Sequence, residues 1–340
     1  MNNSMTELRS RLETAGCFEP ALVRQSAHML AVLALYAGAY TVLLLGPGIV
    51  TRLLMLILLA FCSVQAGFIG HEACHGALTR HRWLAELIGQ VYMTFLTALC
   101  HAHFQKIHRR HHSRCNERGA DVDLESNVFS LYREAVDEKR SWIARFITRH
   151  QALLIWPLVS LQGFTLKMDS VGTLRADPRS TRADQMMLFL HCFLWIGPPV
   201  YFLGPGAALI NYVLMTWMLG PYLGTIFIVN HVGTRVVDPD ERIPRLERIL
   251  TTTRNLGDTR TSDVFFGGLN SHIEHHLFPT IASARLPRAR AIVRTYCRER
   301  RLPYRETTWL GAAKEVCRYL GEIARGEIPA RAGYTDRRAA

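Results

Sequence analysis

Charge is missing from long stretches of this 340-residue chain. No Asp, Glu, Lys or Arg occurs between Met29 and Thr51, between Leu53 and Gly70, or across the 50 residues from Gln185 to Thr234. That excludes an ordinary soluble domain, because about 20 uncharged apolar residues at 1.5 Å each cross a ~30 Å hydrocarbon core. Paired cysteines are missing too. None of the eight (Cys17, Cys62, Cys74, Cys100, Cys115, Cys192, Cys297, Cys317) forms a Cys-x-x-Cys, which leaves no zinc ribbon and no disulfide framework. The chain has no His-Pro-Gly-Gly, no Gly-x-Gly-x-x-Gly and no cysteine cluster, so no haem, dinucleotide or iron–sulfur motif is found. Repeats and low-complexity tracts are absent. Lysine is scarce, 4 against 36 arginines, an association with GC-rich bacterial genomes.

The uncharged stretches predict four membrane spans in two hairpins, at about 29–46, 49–70, 185–203 and 207–230, broken at Gly46-Pro47-Gly48 and Gly204-Pro205-Gly206. Leu87–Cys100 is short and Gln151–Leu166 contains Pro157, so both are expected as buried, re-entrant or interfacial helices. Apart from Arg52, the basic residues lie in the N-terminal tail, in 71–184 and from Arg235 onward. The positive-inside rule then places both termini in the cytoplasm and predicts one domain, 1–340, with a helical cytoplasmic cap made of 71–184 and 235–340. Glu7, Glu13 and Glu19 precede any apolar run, unlike a cleavable signal peptide. The net charge of +12 fits a basic face beside anionic lipid headgroups, and no nucleic-acid-binding module is present.

Histidine is abundant and patterned. His108-Arg-Arg-His111-His112 and His272-Ile-Glu-His275-His276 are two copies of one arrangement, and His71-Glu-Ala-Cys-His75 precedes both. Residues three and four apart share a helix face, so each cluster can aim its imidazoles at one point. With 15 histidines, any given three-His pattern is expected by chance roughly 0.03 times per chain. Eight converging imidazoles exceed the need of one four-coordinate structural zinc. A further histidine, His231, ends the fourth span after Asn230, where an ionisable residue is a functional candidate.

These motifs resemble the three histidine boxes of the integral-membrane fatty acid desaturases. Gly70-His71-Glu72-Ala73-Cys74-His75-Gly76 looks like the first, Lys106-Ile107-His108-Arg109-Arg110-His111-His112 like the second, and Phe266-Gly267-Gly268-Leu269-Asn270-Ser271-His272-Ile273-Glu274-His275-His276-Leu277-Phe278-Pro279 like the third. Asn230-His231 is similar to the extra ligand position, and Asp121-Val122-Asp123 also has a counterpart. The charge pattern and the arginine bias point to the cytoplasmic side of a bacterial inner membrane, and the resemblance implies an all-α membrane fold with a His-rich di-iron site. Its two iron ions would be held by His71, His75, His108, His111, His112, His231, His272, His275 and His276, with O2 as co-substrate. The implied reaction introduces a C=C bond into an acyl chain carried on a lipid, coenzyme A or a carrier protein. A separate ferredoxin- or cytochrome-like electron donor is implied as partner. The front-end desaturases often have glutamine where this chain has His272, and often carry a haem domain. Front-end regioselectivity is therefore not implied.

The same boxes serve membrane hydroxylases and carotenoid ketolases, which remain the alternative within the enzyme class. A metal transporter places its ligands within the spans, whereas the long uncharged stretch holds only His191 in its interior. Outside the boxes, His101 and His103 are expected in ordinary polar contacts or orienting ligand rings, His81 and His150 solvated, and His28 and His191 structural. Glu72 and Glu274 are expected in salt bridges or bonded to a ligand ring; Asp121 and Asp123 are expected on a ligand ring, an arginine or a capped loop.

Overall fold

The computed structural model describes residues 3–328. The chain opens with α1 (Asn3–Thr14), α2 (Leu22–Leu44), α3 (Ile49–Cys74), α4 (Arg82–Gly89), a π-helix (Gln90–Phe95) and α5 (His101–Ser113). Next come α6 (Arg133–Asp137), α7 (Trp142–Val159), α8 (Gln162–Ala176), α9 (Arg182–Leu203) and α10 (Pro205–His231). The last helices are α11 (Arg245–Thr252), α12 (Arg260–Phe265), α13 (His272–Leu277), α14 (Leu286–Glu299) and α15 (Trp309–Arg325). Among the described residues there is no β-strand, only two isolated bridges. The chain divides into two compact units. One comprises residues up to Glu19, Ile107–Pro157 and the chain from Thr225; the other comprises Pro20–Lys106 and Leu158–Gly224.

Four helices, α2, α3, α9 and α10, are long and apolar enough to cross a membrane, with mean hydropathy of 1.6 to 2.3 over their most apolar windows. At 1.5 Å per residue the shortest is about 33 Å long, enough for the ~30 Å core. Helix α2 starts at Leu22, seven residues before the predicted span, and includes Arg24. A long arginine can lay its stem along apolar surface and keep its head in water, so charge alone marked the helix start too late. Helix α3 continues past the uncharged stretch and carries His71.

Within Pro20–Lys106 and Leu158–Gly224, polar side chains in the apolar helices are bonded internally, as a segment without water requires. Trp195 Nε1 donates to Tyr36 Oη at 3.0 Å, and His191 reaches Tyr212 Oη at 3.0 Å and the Phe95 carbonyl at 2.7 Å. His28 bonds Gln65 at 3.0 Å. Helices α9 and α10 reverse at Gly204, whose φ of +81° favours glycine. On α10, a Cβ at Gly220 would collide with the backbone of Ser160, so the missing side chain permits close approach. Neither uncertain apolar stretch forms a helix long and apolar enough to span. Leu87–Cys100 is divided among α4, the π-helix and a break at Ala98 (φ +60°), and Gln151–Leu166 between α7 and α8.

The other unit is held by two apolar clusters. One joins Leu8 and Leu12 of α1 to Leu250 of α11, Ile273 and Leu277 of α13, and Val293 and Tyr296 of α14. The other joins Leu124, Leu131 and Ile155 to Val316, Leu320 and Ile323 of α15. The N-terminal segment, read only as a tail before the first span, is thus a packed helix: Tyr296 Oη donates to the Ser4 carbonyl at 2.9 Å, and Arg11 pairs with Glu299 at 2.7 Å.

Candidate metal centre

Seven predicted ligands meet within one unit. Helix α5 carries His108, His111 and His112, α10 ends on His231, and α13 carries His272, His275 and His276. All seven are buried. Their ring nitrogens fall into two groups. His112 Nε2 lies 2.9 Å from His108 Nε2 and 3.0 Å from His275 Nε2. His272 Nε2 lies 2.7 Å from His231 Nε2 and 3.2 Å from His276 Nε2. The His111 ring adjoins the second group, with centroids 4.7 Å from His231 and 4.9 Å from His276. The groups touch where His112 stacks on His276 at 4.1 Å.

The outward nitrogens explain why these lone pairs point inward. His231 Nδ1 lies 3.1 Å from the Thr252 carbonyl, which can only accept, so Nδ1 bears the proton and Nε2 a lone pair. His111 Nδ1 donates to both oxygens of Asp121 at 3.0 Å, which fixes its tautomer in the same way. Lone pairs facing one another repel unless a cation lies among them. Nitrogens bound about 2.1 Å from one ion at right angles would stand about 3.0 Å apart. The observed spacings of 2.7 to 3.2 Å match that figure, so the donor set fits two nitrogen-bound metal ions.

Protonation agrees. Burial, then the positive charge that neighbouring imidazoles would carry, holds His276 well below the usual histidine range. Burial also disfavours charge on His111, but Asp123 and Asp121 outweigh it and raise that ring. Asp121 is lowered in spite of burial, chiefly by its hydrogen bond with His111. It also accepts from the backbone N–H of Asn116 and Asp123, so one carboxylate shapes the loop and aims the His111 ring.

His71 and His75 lie in the other unit, at the C-terminal end of α3 and one turn apart, with ring centroids at 4.8 Å. His101 bonds Gln105 at 3.0 Å, and His103 bonds Thr173 at 2.6 Å. His150 rests on Phe146 at 4.7 Å. Glu274 makes neither expected contact: it accepts from Tyr304 and Asn255, and burial raises its carboxyl against their pull. Sequence reading missed Asn116, Thr252, Asn255 and Tyr304. The side-chain amide of Asn116 donates to Thr234 Oγ1 at 2.9 Å and to the His231 carbonyl at 3.3 Å, from a residue with φ +52°. An Asn just after the second motif, a residue tolerant of that backbone region, was the one available signal. Cys115, read as a small buried residue, lies with its sulfur 3.5 Å from His231 Nδ1.

The sequence model of the family described as "Fatty acid desaturase" matches residues 47–308. The chain is 22% identical to an acyl-lipid (9-3)-desaturase of Physcomitrium patens, over 94% of this chain and 62% of that protein. It is 24% identical to Delta(8)-fatty-acid desaturase 2 of Arabidopsis thaliana, over 80% of this chain and 64% of that one. With a Delta(6)-fatty-acid desaturase of Caenorhabditis elegans it shares 25%, over 89% and 71%. The chain thus spans less than two thirds of the length of the first two relatives. A match over residues 47–308, which contain all three histidine motifs and His231, places the chain in the fatty acid desaturase family.

Proposed function

We propose that this chain is an oxygen-dependent acyl desaturase of a bacterial inner membrane. Its nine ligands to two iron ions are His71, His75, His108, His111, His112, His231, His272, His275 and His276. The observation that carries the reading is the pair of buried nitrogen groups at 2.7 to 3.2 Å, with outward nitrogens of His111 and His231 tied to Asp121 and Thr252. When bound, the irons supply oxidising chemistry that acid–base side chains lack and that an unactivated C–H bond demands. The chain's own residues do the rest. Asp121 and the Thr252 carbonyl hold the tautomers of His111 and His231. Burial keeps the His276 imidazole neutral, and the apolar surroundings of α13 keep water from the ligand turn.

The proposed substrate is a fatty acyl chain on a lipid, coenzyme A or a carrier protein, and the proposed topology puts the histidines on the cytoplasmic side. The relatives' names include Delta(6), Delta(8), (9-3) and sphingolipid desaturases, so the reading assigns no bond position. Making one double bond while reducing O2 to two waters takes two electrons beyond those of the substrate. A ferredoxin- or cytochrome-like carrier is the proposed source. Exposed Arg109 and Arg110 of α5 and Arg114 just beyond its end suit an acidic carrier, whose docking should weaken with salt.

The test is expression in a host lacking polyunsaturated lipids, with fatty acids profiled by mass spectrometry and metal measured on the purified chain. New unsaturated chains and about two irons per chain are expected. A hydroxylated product would favour the hydroxylase reading. One zinc with negligible iron and intact activity would remove the di-iron assignment.

A further inference from the structure

We infer that Tyr304, together with Asn255, is a positioning residue for the metal centre: through the buried carboxylate of Glu274 it sets the angle at which α13 presents His272, His275 and His276. The inference rests on reading those histidines as ligands. Helix α13 has only six residues, and Pro279 follows two residues after its end. A helix so short has no stability of its own, because the costly first turn is barely repaid. Its orientation must come from outside.

At about 100° per residue, His272, His275 and His276 share an arc of roughly 100°, and Glu274 points about 150° away from its centre. Its carboxylate therefore faces away from the imidazoles. There it meets a closed triangle of hydrogen bonds. Tyr304 Oη donates to Glu274 Oε1 at 2.8 Å, and the Asn255 amide donates to Glu274 Oε2 at 2.9 Å and to Tyr304 Oη at 2.8 Å. Asn255 Oδ1 also accepts from the Ile273 N–H at 2.9 Å, which secures the start of the helix. The backbone of Asn255 is fixed in turn: its N–H donates to the Arg305 carbonyl at 2.9 Å and its carbonyl accepts from Thr307 at 3.1 Å. At the far end, Arg245 donates to the His276 carbonyl at 3.0 Å, a cation at a helix C-terminus.

Small rotations matter here. An imidazole nitrogen roughly 6 to 7 Å from the helix axis moves about 1 Å for a 10° turn, whereas metal–ligand distances tolerate about 0.2 Å. Loss of the clamp therefore acts on the metal before it acts on the fold.

The experiment uses the full chain in nanodiscs, loaded with iron or with cobalt(II) as a spectroscopic probe. It compares Tyr304→Phe with Tyr296→Phe. Tyr296 is fully buried in the same unit, and its hydroxyl bonds only the Ser4 carbonyl among the hydrogen bonds described, so the chemical change is the same. Tyr304→Phe is expected to speed metal release to a chelator about 10- to 100-fold, the usual scale for partners behind a ligand, and to shift the cobalt absorption. Tyr296→Phe is expected to lower the melting temperature while leaving release and absorption as in the parent. Should Tyr304→Phe not accumulate, Glu274→Gln sets an amide donor against that of Asn255 and is expected to change release in the same direction. Parent-like release and absorption in Tyr304→Phe, or equal changes in Tyr296→Phe, would overturn the inference. A parent chain that binds neither metal would instead overturn the ligand reading on which it rests.

Discussion

The second and third histidine motifs have the same spacing and opposite surroundings. In His108-Arg109-Arg110-His111-His112 the two intervening residues are exposed arginines; in His272-Ile273-Glu274-His275-His276 they are a fully buried isoleucine and glutamate. The second motif rides on α5, thirteen residues long and able to hold its ligands at fixed angles by its own backbone. The third rides on six residues embedded on every side. Equal ligand geometry can thus be achieved by helix length or by tertiary grip, and the residues between the ligands reveal which. In the third motif Ile273 feeds the apolar cluster around Leu250 and Val293, and Glu274 takes the hydrogen bonds.

The largest expected effect tests whether the motifs share one centre. His231 belongs to neither, yet its Nε2 stands 2.7 Å from that of His272. His231→Ala should abolish desaturation and lower iron content while membrane insertion is unchanged. His150→Ala, whose ring only rests on Phe146, should have no such effect. Equal, mild losses in both would return His231 to a structural role.

Next in size is the contrast between the intervening residues. Glu274→Ala strips partners from the half-buried Tyr304 hydroxyl and the buried Asn255 amide and should cost about 3 kcal/mol of stability. Arg110→Ala, at the matching position of the second motif, should leave the melting temperature unchanged, because its side chain is exposed. Thermal melts of the metal-free proteins in detergent compare them directly. If both melted alike, the two motifs would be supported in the same way.

A smaller effect belongs to the carboxylate that supports the second motif from outside its helix. Asp121→Ala leaves His111 Nδ1 without its acceptor and should reduce metal affinity about 10- to 100-fold, the range for a carboxylate behind a ligand imidazole. Metal titration with a competing chelator measures it. An unchanged affinity would mean that α5 alone aims His111.

These contrasts also mark what could be read from sequence. The spans were legible because missing charge is a local property, and the buried histidine groups because histidines three and four apart declare a shared face. What lay beyond reach is contact between distant segments. Nothing near Tyr304 announces that it meets Glu274, 30 residues earlier, and nothing in Asn3–Thr14 announces that Leu8 and Leu12 pack beside α13. Helix boundaries slipped for a related reason: Arg24 lies inside α2, and charge was the only marker of its start. Asp121 was noticed, but its partner could be a ring, an arginine or a loop until the chain had folded.

The smallest effect concerns pH, and it takes opposite signs at His111 and at His276. In the metal-free protein His111 is raised above its unfolded value by Asp123 and Asp121, although burial opposes this. Stability from that shift is fully present below the unfolded histidine value, about 6.5, and is lost as pH rises through the higher folded value. Asp121 is lowered, so its contribution is present above its unfolded value, about 3.9, and is lost as pH falls through the folded one. The His111 contribution therefore falls as pH rises from about 6 to 8, while His276, held low by burial, contributes stability that grows as pH rises through the unfolded histidine value. Metal binding needs neutral imidazoles, so affinity should rise over the same interval. Asp121→Asn should make the metal-free melting temperature rise more steeply with pH than the parent's, because it weakens the falling contribution that Asp123 and Asp121 create at His111. Melts of metal-free parent and Asp121→Asn across this range, beside a chelator titration of the parent, measure both slopes. Equal metal-free slopes in parent and Asp121→Asn would show that the His111–Asp121 pair is not charged in the absence of its ion.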